Sequence, residues 1–211
     1  MIRVLMCDDH QIIRQGLKQI LADTADIDVA AECDNGTDAI RMARDGGFDI
    51  VLLDIAMPQR DGLDVLIQLK REFPKLPVLM LSTYPDRQYA ARCFKLGAAG
   101  YLNKSAAPQQ LIDAIRKAAA GGVVVSAAQA ETMAMDMARA THDVPHEALS
   151  HREYQVFQLI ASGESVGQIA ERLALSPNTV STYRSRIMEK TGARNDVGIA
   201  LYAVKHQLVA V

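Results

Sequence analysis

Asp54 ends the apolar run inside "VLLDIAMPQRDG", residues 51 to 62, and Asp8 and Asp9 follow a second such run, "IRVLMC", residues 2 to 7. A carboxylate at the end of a buried strand is costly unless something pairs with it. If the two runs are neighbouring strands, three carboxylates meet at one edge. At about 5 Å each pair would repel by roughly 3 kcal/mol at an effective dielectric near 20. Such a nest calls for a cation, and hard oxygen ligands in that number suit Mg²⁺, which keeps several waters and is commonly completed by a phosphate. Two other runs end in complementary groups: Ser82 and Thr83, hydroxyls able to hydrogen-bond an oxyanion, and Lys104, a point cation for phosphate or carboxylate. Metal, hydroxyl, ammonium and carboxylate together describe a phosphoryl-transfer site with Asp54 as nucleophile. Taken singly, Asp54 or Asp9 reads as a helix cap and Lys104 as a surface lysine. The constellation at the ends of four strands that would be successive in the sheet is what points to chemistry.

Those ends imply a scaffold. Up to about residue 120, short apolar runs alternate with helical periodicity: "IRVLMC", then "IDVAAEC" (27 to 33), "DIVLL" (49 to 53), "PVLMLS" (77 to 82) and "GYL" (100 to 102). Between them Ile12, Ile13, Leu17, Ile20 and Leu21 recur at helical spacing, as do Leu63, Leu66 and Leu69, and later Leu111, Ile112, Ile115 and Ala119. Strand and helix alternating five times predict an α/β domain, a doubly wound parallel sheet with helices on both faces. Unbroken runs such as "DIVLL" fit central strands buried on both sides. Folds of this kind place ligands at the carboxyl ends of their strands, where Asp54 falls.

The texture changes after Gly121 and Gly122. Residues 122 to 148 read as a partly helical linker, with Met133 and Met137 packing on a neighbour, and with His142, His146 and His151 lacking an ordered metal-ligand spacing. From 149 to 211 only short helices are expected, four in all. "SHREYQVFQLIASG" carries Val156, Leu159 and Ile160 on one face, with Ser150 and Glu153 forming a capping box and Gly163 as the stop. "SVGQIAERLAL" follows, then "SPNTVSTYRSRIMEKTG" with Ser176 as cap, Pro177 at its first position and Gly192 at its end, and last "DVGIALYAVKHQL". The middle pair, separated by a turn around Leu175 and Ser176, is a helix-turn-helix pattern whose second helix would enter a major groove. Arg172, Arg184, Arg186, Lys190 and Arg194 outnumber Glu171 and Glu189 there, and phosphate attraction needs a basic face rather than a basic molecule. From pattern alone, a four-helix protein-interaction module stays open beside DNA binding.

Residues 1 to 121 resemble the receiver domain of two-component response regulators: the acidic pair Asp8 and Asp9, the phosphoacceptor with downstream proline and glycine in "DIAMPQRDG", the hydroxyl residue Ser82 and the lysine of "GYLNK". The resemblance implies a (βα)₅ fold with sheet order 2-1-3-4-5, a phosphoryl group arriving at Asp54 from a histidine kinase, and Mg²⁺ held by Asp9, Asp54 and the Ala56 carbonyl, with Asp8 acting through water. Ser82 and Lys104 would bind the phosphate, and Ser82 and Tyr101 would act as the switch pair. Ser105 stands where many receivers have proline. Residues 149 to 211 resemble the LuxR-type output domain of the NarL/FixJ family in "LSHREYQVFQLIASG", "IAERLALS" and "NTVSTYRSRIMEKTG". That pattern implies Ser181, Thr182 and Ser185 at base edges, Tyr183, Arg184 and Arg186 beside them, and Lys190 at phosphate. Family members often have lysine at the place of Ser181 and an Asn-Lys pair near Val166 and Gly167, so dimeric binding to two half-sites is expected, with Ile199, Leu201 and Tyr202 as candidate dimer contacts. The enzyme-class rival is a Mg²⁺-dependent aspartyl phosphatase. It lacks a second acid, because residue 56 is alanine.

Bulk properties agree. The chain has 211 residues, 49% of them hydrophobic, and a formal net charge of -2, which suits two domains and excludes a polycation. No apolar stretch approaches the roughly 20 residues of a membrane span, and "MIRVLMCDDH" lacks a signal-peptide pattern, so a cytoplasmic location without membrane contact is expected. Cys7, Cys33 and Cys93 have no CxxC spacing and read as buried reduced thiols.

Overall fold

Apolar runs too short for a helix and unbroken by polar residues can be buried only as strands covered on both faces, and the computed structural model is built on that rule. It describes residues 1–57, 61–83, 86–131, 145–173, 175–206 and 208. Pro58, Met133, Met137 and His142 lie outside the described residues, as does the side chain of His151. The chain divides into two compact units, residues 1–140 and 141–211.

In the first unit β1 (Ile2–Cys7), β2 (Ile27–Cys33), β3 (Ile50–Asp54), β4 (Val78–Ser82) and β5 (Gly100–Asn103) form one sheet in the order β2-β1-β3-β4-β5. Every pairing is parallel. Crossovers run through α1 (Gln11–Ala22), α2 (Gly36–Asp45), α3 (Gly62–Glu72) and α4 (Asp86–Lys95), and α5 (Pro108–Ala119) follows the last strand. The central strands β3 and β4 are buried at every position. On one side Val4, Met6, Ile50, Leu52, Leu79 and Leu81 pack against Leu111, Ala114, Ile115 and Ala118 of α5. The expected apolar rows hold at Leu63, Leu66 and Leu69, whereas Ile12 in α1 is 87% exposed. Its spacing matched the row, but it lies on the solvent side of the helix.

Residues 122–131, expected as linker, are attached to the sheet. Val124 pairs in parallel with Gly100, and its amide donates to the Ala99 carbonyl at 2.7 Å. A Cβ on Gly100 would lie 2.7 Å from the Val124 Cβ and 2.8 Å from Leu79 Cδ1, so glycine is what admits this close approach. Residues 127–131 are helical.

The described residues of the second unit begin with a 3₁₀ turn (Pro145–Ala148), followed by α6 (His151–Ala161), α7 (Val166–Arg172), α8 (Pro177–Thr191) and α9 (Asp196–Lys205). Ser150, Ser165, Ser176 and Asn195 cap the four helices, each accepting an amide hydrogen bond. Gly192 ends α8 in the left-handed conformation, with φ 73°. Val156, Phe157, Ile160, Ile169, Val180, Ile187 and Ile199 form the core. Among the described residues no helix is long and apolar enough to cross a membrane.

Candidate functional site

Parallel strands deliver their carboxyl ends to one rim, so β1, β3, β4 and β5 bring Asp8, Asp54, Ser82 and Lys104 to a single edge. Lys104 joins two of them: its Nζ lies 2.7 Å from Asp8 Oδ2 and 2.9 Å from Asp54 Oδ2, all three side chains being at most 7% exposed. The Lys104 amide donates to the Ser82 carbonyl at 2.8 Å, which ties the lysine's backbone to the neighbouring strand end. Ser82 is fully buried, one position beyond Leu81, the register partner of Asp54. Tyr101 lies opposite Met80 on β5 and is 2% exposed.

Asp54 is 1% exposed, and its Oδ1 accepts a hydrogen bond from the Ala56 amide at 3.3 Å. Burial pushes its carboxyl above the usual range. Lys104 pulls it back and Asp8 adds repulsion, but the net direction is upward. Asp9 is the more open acid, with a side chain 25% exposed and Oδ1 2.7 Å from His10 Nδ1. One ligand atom each from Asp8, Asp9, His10 and Asp54 lies within 4.8 Å of the others. The carboxylates of this group outnumber the single ammonium of Lys104 by two charges. Hard oxygen donors with that excess fit a divalent cation of the Mg²⁺ class.

His10, Asp61 and Gly62 complete the site beyond the residues expected to act. His10 stands at the start of α1 without a side-chain capping bond, its amide donating to Asp8 Oδ1 at 2.8 Å. Asp61, 4% exposed, caps α3 by accepting from the Leu63 amide at 2.9 Å. An acidic residue before a glycine and an apolar row is the sequence signal for that cap. A Cβ on Gly62 would collide with the carbonyl of Asp54 and approach Ile55 Cα to 2.8 Å, so α3 rests its first residue on the backbone of Asp54 and Ile55. Gly62→Ala is expected to destabilise the first unit by about 2 kcal/mol, the scale of an overpacked core, as measured by urea titration.

The thiols stay away from this chemistry. Cys7, Cys33 and Cys93 are free and buried. Cys7 and Cys33 form a buried pair, the hydrogen bond between them pushing the Cys7 thiol up and that of Cys33 down, and burial pushes the Cys93 thiol up to about 12.

In the second unit α7 and α8 flank the helix-turn-helix turn, and Ser181, Thr182, Ser185 and Arg186 are exposed along α8. Asn178, Thr179, Thr182, Tyr183 and Arg186 line an open depression on that helix. Two of the expected cations are engaged elsewhere: Arg184 Nε donates to Asp196 Oδ1 at 2.6 Å, and Lys190 Nζ to Glu153 Oε2 at 2.6 Å. Of the candidate dimer contacts, Ile199 is core, Tyr202 is half-buried with its hydroxyl 3.1 Å from His146 Nδ1, and Leu201 is 66% exposed. Val197 and Val204, 66% and 47% exposed, share its stripe.

Comparison with known proteins places both units. Residues 4–116 match the response regulator receiver domain, and residues 147–203 match the luxR family of bacterial regulatory proteins. The response regulator GacA of Pseudomonas aeruginosa is 38% identical, over 99% of this chain and 98% of its own. The response regulator UvrY of Escherichia coli is 36% identical, over 99% and 96%. Among solved structures, a complex of the two-component response regulator RcsB with DNA is 25% identical, with a TM-score of 0.59 over 96% of this chain and 98% of that one. With the sheet order and the acidic rim of its first unit and the helix-turn-helix of its second, the chain belongs to the NarL/FixJ family of two-component response regulators, transcription regulators in which phosphorylation of a receiver controls a LuxR-type DNA-binding domain.

Proposed function

We propose that Asp54 accepts a phosphoryl group from the phosphohistidine of a cognate histidine kinase, and that the modified chain dimerises on DNA bearing two half-sites. A carboxylate oxygen of Asp54 forms the O–P bond as the donor's P–N bond breaks, and the electron pair passes to the imidazole nitrogen, which takes up a proton. The reading rests on one observation above all: the buried ammonium of Lys104 spans Asp8 and Asp54, and a phosphoryl oxygen on Asp54 would take over part of that cation. Mg²⁺, when held by Asp9, Asp54 and the Ala56 carbonyl with Asp8 through water, would neutralise charge on the transferring group. The packed sheet fixes the Asp54 carboxylate in place, Ser82 at the next strand end receives a phosphoryl oxygen, and Tyr101 reports the change along β5. The chain thereby promotes only its own phosphorylation and dephosphorylation, in the cytoplasm. Functionally we divide it into a receiver at 1–121, a linker at 122–148 and an output domain at 149–211.

On DNA, α8 would present Ser181, Thr182 and Ser185 to base edges with Arg186 as its freest cation, and the stripe Val197, Leu201 and Val204 of α9 would meet a second copy. Arg184 and Lys190 would reach phosphate only by leaving Asp196 and Glu153. Arg186→Ala is accordingly expected to weaken binding across sequences and lower the salt slope by about 1, read from affinity against salt concentration. Selection of bound duplexes from random DNA, with and without acetyl phosphate and Mg²⁺, tests the whole reading. Wild type should recover a paired motif more tightly when phosphorylated, and equal affinity of wild type and Asp54→Ala in both conditions would refute the switch.

A further inference from the structure

Gln129 lies in the stretch between the two domains, yet it is only 3% exposed, and its side-chain amide is engaged at both ends. Its Oε1 accepts from the Ser126 amide at 2.9 Å while its backbone amide donates to Ser126 Oγ at 3.2 Å, a reciprocal cap that starts the helical residues 127–131. Its Nε2 donates to the carbonyl of Tyr101 at 3.1 Å. One side chain therefore fixes both where the linker helix begins and which point of β5 it follows. The same strand leads within three residues to Lys104, whose Nζ holds Asp54 at 2.9 Å. The linker is further laid along β5 by the Val124 amide on the Ala99 carbonyl at 2.7 Å.

We infer that Gln129 is a positioning residue that carries the phosphorylation state of Asp54 from β5 into the linker helix, the inference resting on the switch function proposed above. When one Asp54 oxygen becomes bonded to phosphorus, Lys104 must share its cation with the phosphate, and β5 adjusts behind it. The Tyr101 carbonyl is the part of that strand the linker grips through Gln129. A shift of β5 either drags the helix start with it or breaks the Nε2 bond, and each outcome changes the direction in which the linker leaves the receiver. Coupling of this kind is read as a ratio of DNA affinities between the two phosphorylation states.

The experiment uses full-length wild type, Gln129→Ala, Gln129→Glu and Ser126→Ala, each with and without acetyl phosphate and Mg²⁺, on the duplex recovered by selection. Gln129→Glu keeps an acceptor for the Ser126 amide but has no donor for the Tyr101 carbonyl. Ser126→Ala weakens the cap but keeps that donor. All four should acquire the acid-labile phosphate at similar rates, followed by intact mass. The increase in DNA affinity on phosphorylation should shrink about fivefold in both Gln129 variants, the equilibrium worth of one hydrogen bond, and persist in Ser126→Ala. An undiminished increase in Gln129→Ala overturns the inference, as does a wild-type increase in Gln129→Glu, which would reduce the residue to a helix cap. Slow phosphorylation of the Gln129 variants would place the effect in the acidic pocket and overturn it as well. No increase in wild type would instead refute the switch at Asp54 itself, and with it anything Gln129 could transmit.

Discussion

Metal-free Asp54→Asn protein should melt higher than wild type while taking up no phosphoryl group. Asparagine is nearly isosteric with aspartate, so the space at the end of β3 stays filled and the Ala56 amide keeps an acceptor. What disappears is a carboxylate 1% exposed, and with it the repulsion from Asp8. Lys104 still has Asp8 at 2.7 Å. Replacing buried charge by a neutral group of similar volume is often stabilising, and on the order of 1–2 kcal/mol is expected, or about 3–6 °C in Tm. The pH dependence follows from the upward direction of the Asp54 carboxyl. Its stabilising contribution is fully present below its unfolded value of 3.8 and is lost as pH rises through the higher folded one. The variant should therefore lead most at neutral pH and converge with wild type below about pH 4. Millimolar Mg²⁺ should raise the wild-type Tm and leave the variant's nearly unchanged, because binding to the native state stabilises it by mass action. Scanning calorimetry in EDTA and in Mg²⁺ measures both effects. A variant that melts lower than wild type at pH 7 without metal would contradict the claim that function, not stability, keeps this charge buried.

The parallel sheet and the gathering of Asp8, Asp54 and Lys104 at its carboxyl rim were legible because both depend on coarse properties, whereas the order of strands came from the resemblance to receivers. Unbroken apolar runs mark central strands, and a parallel sheet sends all their carboxyl ends one way. The helices α2 and α4 were harder to read. They bury Ala39, Ile40 and Ala43, and Tyr89, Ala90 and Cys93, among which Ile40 is the one large aliphatic, too few to stand out as apolar rows. Ile12 fits the periodicity of α1 yet faces solvent, since spacing identifies a face only to within one neighbouring position. The attachment of 122–131 to β5 left a signal that glycine content obscured: "SAAQ", residues 126 to 129, is a capping box, and Gly121 and Gly122 precede a strand pairing rather than a free tether. In the output domain, charge was visible but its partners were not. Nothing local marks that Lys190 faces Glu153, 37 positions earlier, or that Arg184 faces Asp196.

The Lys190 pairing supports the second large expected effect, loss of stability of the output domain in Glu153→Ala. Glu153 is 2% exposed and accepts from two directions: the Ser150 amide at 2.6 Å, which closes the cap of α6, and Lys190 Nζ at 2.6 Å, which ties the far end of α8 to that cap. Alanine leaves the Ser150 amide and the Lys190 ammonium without this acceptor, for a loss of about 2 kcal/mol and roughly 10 °C in a domain of this size. A glutamine in its place would keep the cap and forgo the ion pair, so Glu153→Gln should lose about half as much. Burial pushes the Glu153 carboxyl up, but Lys190 and the Ser150 amide outweigh it and hold it below the ordinary 4.5. Its contribution is thus present above pH 4.5 and is lost as pH falls through the lower folded value, the opposite sense to Asp54. The difference between wild type and Glu153→Ala should narrow as the solution is acidified past that point. Because α8 is the proposed recognition helix, DNA affinity should fall as well, although no residue proposed to touch DNA has changed. Thermal melts of the three proteins from pH 7 to pH 3, paired with duplex titrations at pH 7, test this. A Glu153→Ala protein within a degree of wild type at neutral pH would show that Lys190 owes nothing to Glu153 and would return it to the phosphate contacts.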